Sequence, residues 1–146
     1  MSNLEKSVDR LIDQYKSAVK ARDVGKFIRL YDPRARIFDA WGVWEYEDST
    51  KWQVAIDGWF SSDPGADFRV TFENVQTCGS EDHALVSAIV TYASLSSLGE
   101  PIRSMQNRIT WALRTSSHVL RIVHEHTSAP IGFEDQKAIL QREVKR

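Results

Sequence analysis

The segment from Arg121 to Pro130, RIVHEHTSAP, places two histidines around a glutamate at the end of a hydrophobic stretch. Side chains on a strand alternate between its two faces, so His124 and His126 share one face and Glu125 points to the other. Imidazole groups there could transfer protons or contact a ligand, bind a metal, or form hydrogen bonds at the edge of the core. The three interpretations stay open at this point.

A metal site is the least favoured of the three. Zinc binds through three or four ligands, and the only other histidines, His83 and His118, fall in predicted turns. Cys78 is the single cysteine, which excludes multi-cysteine zinc motifs and an internal disulfide and favours a reducing compartment. The sequence also lacks phosphate-binding loops, metal-binding loops and a nucleophile elbow. We therefore expect neither a metal nor another cofactor.

Asp39 is the second candidate for chemistry. It lies between Phe38 and the pair Ala40 and Trp41. We expect a carboxyl group in such an apolar segment to be desolvated, which raises its pKa toward that of a useful proton acceptor. A capping or salt-bridge role for Asp39 is the alternative.

The chain carries an unusual amount of aromatic surface, including five tryptophans. Trp52 and Trp59 fall on the apolar side of a predicted helix and are expected in the core. The candidates for a pocket wall are Trp41, Trp44, Tyr46 and Tyr92. Aromatic walls with few polar groups are typical of sites for small, largely apolar organic ligands.

Composition narrows the classes of partner. Lys and Arg (19) nearly balance Asp and Glu (20), and the basic residues are scattered, so neither nucleic acid nor an anionic membrane surface is an expected partner. No run approaches 18 apolar residues, and charges interrupt the N-terminal segment, so we expect no signal peptide and a cytoplasmic location. The length of 146 residues without a linker predicts one domain.

Hydrophobic periodicity predicts helices first and strands afterwards. Helical spacing marks residues 4–19, with Ser2 or Asn3 as the cap, then residues 24–31 and 50–60, and a short strand covers 36–41. From Phe68 onward the period is two, which predicts four long antiparallel strands joined by tight turns. This order predicts an α+β domain over residues 1–133, followed by a C-terminal helix or tail over residues 134–146.

Several strings in the sequence resemble the SnoaL-like branch of the nuclear transport factor 2-like superfamily. They are IFDAW at residues 37–41, RITWALR at 108–114 and IVHEHTSAP at 122–130. The resemblance covers nearly the whole chain. It implies a cone-shaped, cystatin-like roll in which a curved, mostly antiparallel sheet wraps the three helices. It also implies that the two histidines face the inside of the cone, and that a homodimer forms through the outer face, where Val119, Arg121, Val123 and Glu125 would then lie.

Ketosteroid isomerases belong to the same superfamily, and the resemblance to them implies site roles. Asp39 stands where these enzymes place the aspartate base, and Tyr15 stands where they place a tyrosine that stabilises the oxyanion. Their third group, a protonated aspartic acid, has no counterpart here, and Arg108 is the nearest candidate for stabilising an oxyanion. Tyr15 also fits the apolar stripe of the first helix, so a core role stays open.

Two functions follow as alternatives. The first is a small-molecule-binding cone with cofactor-independent isomerase- or cyclase-type chemistry, in which Asp39, His124 and Tyr15 are catalytic. The candidates for ligand contact are then Trp41, Trp44, Tyr46, Tyr92, Arg108 and His126. The second function is a non-catalytic module that binds a ligand or assembles into homo-oligomers, because this superfold hosts both kinds of protein.

Overall fold

A computed structural model describes residues 1–143 of the chain. The helices are α1 (Asn3–Ala21), α2 (Val24–Ile28) and α3 (Ser49–Phe60). The strands are β1 (Tyr31–Phe38), β2 (Asp67–Gly79), β3 (His83–Leu95), β4 (Pro101–Ser116) and β5 (Val119–Ser128). Helices thus precede a run of long strands, as the periodicity predicts.

Short polar side chains fix the beginning of each helix. Ser2, Asp23 and Asp48 stand at the N-caps and accept hydrogen bonds from backbone N–H groups three residues further on. These bonds satisfy amides that would otherwise lack a partner at a helix N-terminus. Of the two predicted caps for the first helix, Ser2 is therefore the one used.

The five strands form one sheet in the order β1-β5-β4-β3-β2. The β1–β5 pair is parallel and the other three pairs are antiparallel. Helix α1 packs against β2 and α3 packs against β1, so the helices cover one face of the sheet. The predicted α+β roll with a mostly antiparallel curved sheet is confirmed.

The core lies between the helices and the inner face of the sheet. Six apolar residues of α1 are buried there, and they are Val8, Leu11, Ile12, Tyr15, Ala18 and Val19. Phe27 and Trp111 are almost fully buried, and the rings of both lie within 6 Å of the Tyr15 ring. Burial of aromatic groups on this scale is a major contribution to the stability of the fold.

The second predicted helix is too long by three residues. It ends at Ile28, and Tyr31 already belongs to β1, which also contains Pro33. Proline lacks the N–H that a central strand would need, but β1 is an edge strand, and its pairing with β5 shifts register between Tyr31 and Arg36. The edge position therefore explains how a strand can contain this residue.

The segment after β5 is not helical in the residues that are described, up to Glu143. It folds back through a bridge between Ile131 and Ala138, and its Leu140 carbonyl accepts a hydrogen bond of 2.7 Å from the Gln106 N–H. The partner of β4 at that level would be β5, which pairs only as far as Arg108 with Ser128. The C-terminal segment therefore occupies the free edge of β4.

Candidate functional site

Asp39 follows β1 directly and is held by the strand beside it. The Thr127 hydroxyl donates a hydrogen bond of 3.0 Å to Asp39 Oδ1 and accepts one of 2.8 Å from the Ala40 N–H. Burial raises the pKa of the Asp39 carboxyl, while the Thr127 bond and the N–H groups of Trp41 and Ala40 partly offset that rise. Asp39 is thus a desolvated carboxyl in a fixed position.

Glu125 is a second carboxyl group, and it lies within the core. Only 1% of its surface is exposed. Its Oε1 atom accepts hydrogen bonds from the Tyr31 hydroxyl at 2.6 Å and from the Trp111 indole N–H at 2.9 Å. Burial raises its pKa to about 7, although both hydrogen bonds lower it. Near neutral pH, Glu125 therefore exists in both the protonated and the ionised form.

Two tyrosine hydroxyls meet near these carboxyl groups. The hydroxyls of Tyr15 and Tyr92 are 2.8 Å apart and share a hydrogen bond. Burial is the largest cause of the raised pKa of each, and the charge of Glu125 adds to the effect. Both tyrosines therefore stay protonated and can donate hydrogen bonds.

These groups border one cavity of about 640 Å³ between the helices and the sheet. Its aromatic wall consists of Trp41, Tyr46, Trp52, Trp59, Phe68 and the tyrosine pair. Its polar residues include Asp39, Glu125, Ser94 and Asn107. A largely apolar cavity with a few converging polar groups is the usual form of a site for a small organic ligand.

The structure contradicts the inward orientation that was expected for the two histidines. Val123 is an extra residue in β5, because Ala112 pairs with His124 whereas the next residue, Leu113, pairs with Ile122. Such a bulge reverses the alternation of side chains beyond it. Neither His124 nor His126 borders the cavity.

Glu125 and Thr127 take the inward positions instead, and both are buried. The expectation that Glu125 lies on the outer face is therefore wrong. The ring of Phe38 packs against both histidine rings, and the backbone carbonyl of Arg36 lies 2.6 Å from His124 Nδ1. His124 and His126 are thus residues of the outer face, beside the edge strand.

Two further candidates for ligand contact lie away from the cavity. Arg108 is exposed, and its Nε donates to the Ser128 hydroxyl at 3.0 Å. Its neighbours along β4, Asn107 and Ile109, are the buried ones, so Arg108 points to the outer face. Trp44 is 96% exposed in the bend after β1. Neither residue borders the cavity, which corrects both expectations.

Of the site residues predicted from the sequence, five border the cavity, and they are Asp39, Tyr15, Trp41, Tyr46 and Tyr92. Sequence reasoning missed Glu125, because strict alternation assigned it to the opposite face. Ser94 and Asn107 were also missed, because alternation along β3 and β4 places each residue on an apolar face but does not show that this face lines a cavity.

No group of three His, Cys, Asp or Glu side chains within residues 1–143 is arranged to hold a metal ion. In the same part of the chain, no helix is long and apolar enough to cross a membrane. The Asp, Glu and Arg residues that border the cavity are Asp39, Asp63, Arg69, Arg103 and Glu125.

Comparison with solved structures finds the same fold in proteins of low identity. A nuclear transport factor 2-like protein of unknown function from Pseudomonas putida superposes with a TM-score of 0.84 at 21% identity, over 96% of each chain. A protein of unknown function with a cystatin-like fold from Nostoc punctiforme gives 0.72 at 12% identity, over 88% of this chain and 92% of the other.

A putative calcium/calmodulin-dependent protein kinase II association domain from Xanthomonas campestris gives a TM-score of 0.72 at 15% identity, over 84% of this chain and 85% of the other. A search of curated proteins found no match. The family model of the SnoaL-like domain matches residues 8–132, which include every strand and all three helices apart from the first turn of α1. The chain therefore belongs to the SnoaL-like domain family.

Proposed function

We propose that this protein binds a small, largely apolar organic ligand in the cavity and rearranges it by acid–base chemistry without a cofactor. The observation that carries the proposal is that two desolvated carboxyls, Asp39 and Glu125, border the same aromatic cavity. Pairs of titratable groups in different environments are the usual basis for dividing the roles of base and acid.

Asp39 acts as the base in this proposal. Its carboxylate removes a proton from a carbon next to a ligand carbonyl, and the electron pair moves onto the carbonyl oxygen to form an enolate. Burial makes the carboxylate a better proton acceptor, and the Thr127 hydroxyl keeps it oriented. In a ligand with a β,γ double bond next to the carbonyl, the enolate extends over that double bond, and return of the proton to the γ carbon moves the double bond into conjugation and restores the Asp39 carboxylate.

The developing enolate oxygen needs a hydrogen-bond donor. Protonated Glu125 and the Tyr15–Tyr92 pair both provide one at the cavity wall. Oε1 of Glu125 already accepts two hydrogen bonds, whereas Oε2 accepts none from residues 1–143. Oε2 is therefore the oxygen whose proton would reach the ligand, and a donor held in place costs little reorganisation.

Deuterium exchange into an enolisable ketone tests this proposal. The protein is mixed with 2-tetralone in D₂O, and the loss of the proton signals next to the carbonyl is followed by NMR. We expect the wild type to exceed the buffer rate, and Asp39→Asn to lose about 10²- to 10⁴-fold of that acceleration. Asp57→Asn, on the exposed side of α3, is the matched control and should exchange like the wild type.

Either of two results would contradict the proposal. The wild type could exchange the ketone no faster than buffer although calorimetry shows that it binds, or Asp39→Asn could retain the full rate. The first result would support a binding protein without catalysis. The second would assign the proton transfer to another group.

The second candidate function is homo-oligomeric association through the outer face of the sheet. Leu85 and Val119 are each 45% exposed on strands of that sheet, and the chain is similar to the Xanthomonas protein described as an association domain. A homodimer through this face is compatible with a ligand cavity, since the cavity lies on the other side of the sheet. Sedimentation equilibrium of the wild type and Leu85→Lys tests it, with a shift to monomer expected in the variant.

A further inference from the structure

The C-terminal segment completes the wall of the cavity where β5 ends. The last pair between β4 and β5 is Arg108 with Ser128, so the part of β4 before Arg108 has no strand on that side. Residues 140–143, which we call the strap, lie against this free edge, and the Gln106 N–H donates a hydrogen bond of 2.7 Å to the Leu140 carbonyl. The strap thus takes the place beside β4 that a longer β5 would occupy.

Leu140 is the residue of the strap that borders the cavity. It is half-buried, and Met105 of β4 borders the same cavity. The residues on either side of it, Ile139 and Gln141, border a separate groove beside Arg108 on the outer face of the sheet. Side chains that alternate in this way are typical of an extended segment at the edge of a sheet. Detachment of the strap from β4 would therefore open the cavity wall at Leu140.

The strap is attached to the sheet mainly by polar contacts at the protein surface. None of residues 130–143 is buried. The Gln141 side chain donates a hydrogen bond of 2.7 Å to the Ser104 carbonyl, and Arg142 forms an ion pair of 3.0 Å with Glu73 of β2. Exposed ion pairs contribute little to stability, and segments with few buried apolar contacts open at low free energy. The strap should therefore detach more easily than the strands.

The residues before the strap can stay folded when it detaches. The Gly132 N–H donates a hydrogen bond of 2.7 Å to the Lys137 carbonyl, and the Ile139 N–H donates one of 2.7 Å to the Pro130 carbonyl. These bonds close residues 130–139 into a loop of their own. A hinge after Ile139 therefore lets the strap leave β4 without breaking them.

Two other parts of the cavity border are held more firmly. Asp63, in the loop between α3 and β2, forms an ion pair with Arg103 at the start of β4. Arg22 donates hydrogen bonds to four backbone carbonyls within residues 60–66 and so fixes the same loop. Beside β1, a backbone bridge joins Ile37 to Tyr46 across the bend that follows the strand. Of these three sides of the cavity, the one at the strap has the weakest attachment.

We propose that the strap is a lid of the cavity, which leaves β4 to admit a ligand and returns to cover it. The role as a lid rests on the proposed ligand cavity, whereas detachment of the strap is a property of the protein alone. A ligand can contact Leu140 only when the strap is in place, so binding favours the closed state. The strap thereby regulates the rates at which ligands enter and leave.

Hydrogen exchange followed by NMR tests whether the strap detaches. The acceptor of the Gln106 amide lies in the strap, so this amide should exchange faster than that of Trp111, in the centre of β4, by about tenfold. The double variant Gln141→Ala/Arg142→Ala removes the side chains that anchor the strap and should speed exchange at Gln106 by a further factor of about ten, with Trp111 unchanged. Glu134→Ala, in the exposed turn before the strap, is the matched control. Equal exchange at Gln106 in the double variant and the wild type would mean that the strap is a fixed wall and would overturn the proposal.

Binding kinetics test the role of the strap as a lid. Stopped-flow mixing with 2-tetralone is followed by the fluorescence of the tryptophans that border the cavity. In the double variant, the association and dissociation rate constants should both rise several-fold, because the opening that limits entry and exit becomes more frequent. An unchanged association rate constant would mean that ligands enter elsewhere, and it would overturn the proposal.

Modification of a cysteine distinguishes failure of the lid from failure of the proposed function. Cys78 is the only cysteine, so Cys78→Ser/Ala55→Cys places a single thiol at the cavity wall on α3. If 2-tetralone does not bind, the proposed function fails for this ligand, and the lid is tested by the rate at which N-ethylmaleimide modifies the thiol. Removal of the Gln141 and Arg142 side chains should raise that rate several-fold. An unchanged rate would overturn the lid whatever the result with the ketone.

Discussion

Glu125 lies directly opposite Trp111 in the β4–β5 pair and accepts a hydrogen bond of 2.9 Å from its indole N–H. The pairing puts a carboxyl group beside one of the largest buried side chains of the core. A carboxylate in the core loses its hydrogen bonds to water, and Trp111 and Tyr31 replace part of them by donating hydrogen bonds to one of its oxygens. The bulge at Val123 is what turns Glu125 inward.

The buried carboxyl predicts a specific dependence of stability on pH. Burial raises the pKa of Glu125 from 4.5 to about 7 in the folded protein, so between those values the folded state holds more protons than the unfolded state. Stability should therefore fall as the pH rises through this window and level off above it, by up to about 3 kcal/mol. Urea unfolding of the wild type and Glu125→Gln between these pH values checks this. The difference in free energy of unfolding between the wild type and Glu125→Gln should change across this pH range. A difference that stays constant with pH would contradict the prediction.

The hydrogen bond from Thr127 should lower the pKa of Asp39. Thr127→Val removes a donor to the carboxylate and the acceptor of the Ala40 N–H, so the pKa of Asp39 should rise further and stability should fall by about 1–3 kcal/mol. The pH profile of ketone exchange should shift to higher pH in this variant. Thr127→Ser keeps the hydroxyl and should restore the wild-type profile, whereas equal shifts in both variants would assign the effect to packing.

Substitution of the histidines should leave ligand binding intact. His126 is exposed, so His126→Ala should change the free energy of unfolding by no more than about 0.5 kcal/mol. His124→Ala should cost about 1 kcal/mol, because the contact with the Arg36 carbonyl is lost. The affinity of each variant for 2-tetralone, measured by calorimetry, should match that of the wild type. A tenfold loss of affinity in either variant would place the histidines at the ligand.

The hydrogen bonds of Arg22 should hold the loop between α3 and β2 in one conformation. Its guanidinium donates to the carbonyls of Phe60, Ser62, Asp63 and Ala66 and lies 3.8 Å from the centre of the Phe68 ring. Arg22→Ala should cost about 2–4 kcal/mol and speed hydrogen exchange of residues 60–66. Lys20→Ala, two residues earlier and exposed, is the control. Unchanged exchange in Arg22→Ala would mean that the loop is held by its own contacts.

Much of the fold followed from hydrophobic periodicity, and the reasons are physical. The stripe of α1 and the period of two in β3 and β4 each bury one face, so the pattern alone indicates the element. Pro33 obscured β1, because proline argues against a strand unless the strand lies at an edge, and the edge is a property of the whole sheet.

Less of the candidate site than of the fold could be predicted from the sequence. Asp39, Trp41 and Tyr46 are close in sequence, and they do lie together at the cavity. The face of each β5 residue beyond Val123 depended instead on one bulge, which has no clear sequence signature and reverses every later side chain. The histidines were therefore misassigned and Glu125 was missed for the same reason.

The most direct test that two desolvated carboxyls share the cavity is a carboxyl titration followed by NMR, with ¹³C-labelled Asp and Glu. Asp39→Asn and Glu125→Gln identify the two resonances by their disappearance. We expect Glu125 to titrate near pH 7 and Asp39 to titrate with a pKa above its ordinary value of 3.8. Binding of 2-tetralone should shift both resonances. Titration of both groups at ordinary values, with no response to the ketone, would contradict the claim that two desolvated carboxyls share a ligand cavity.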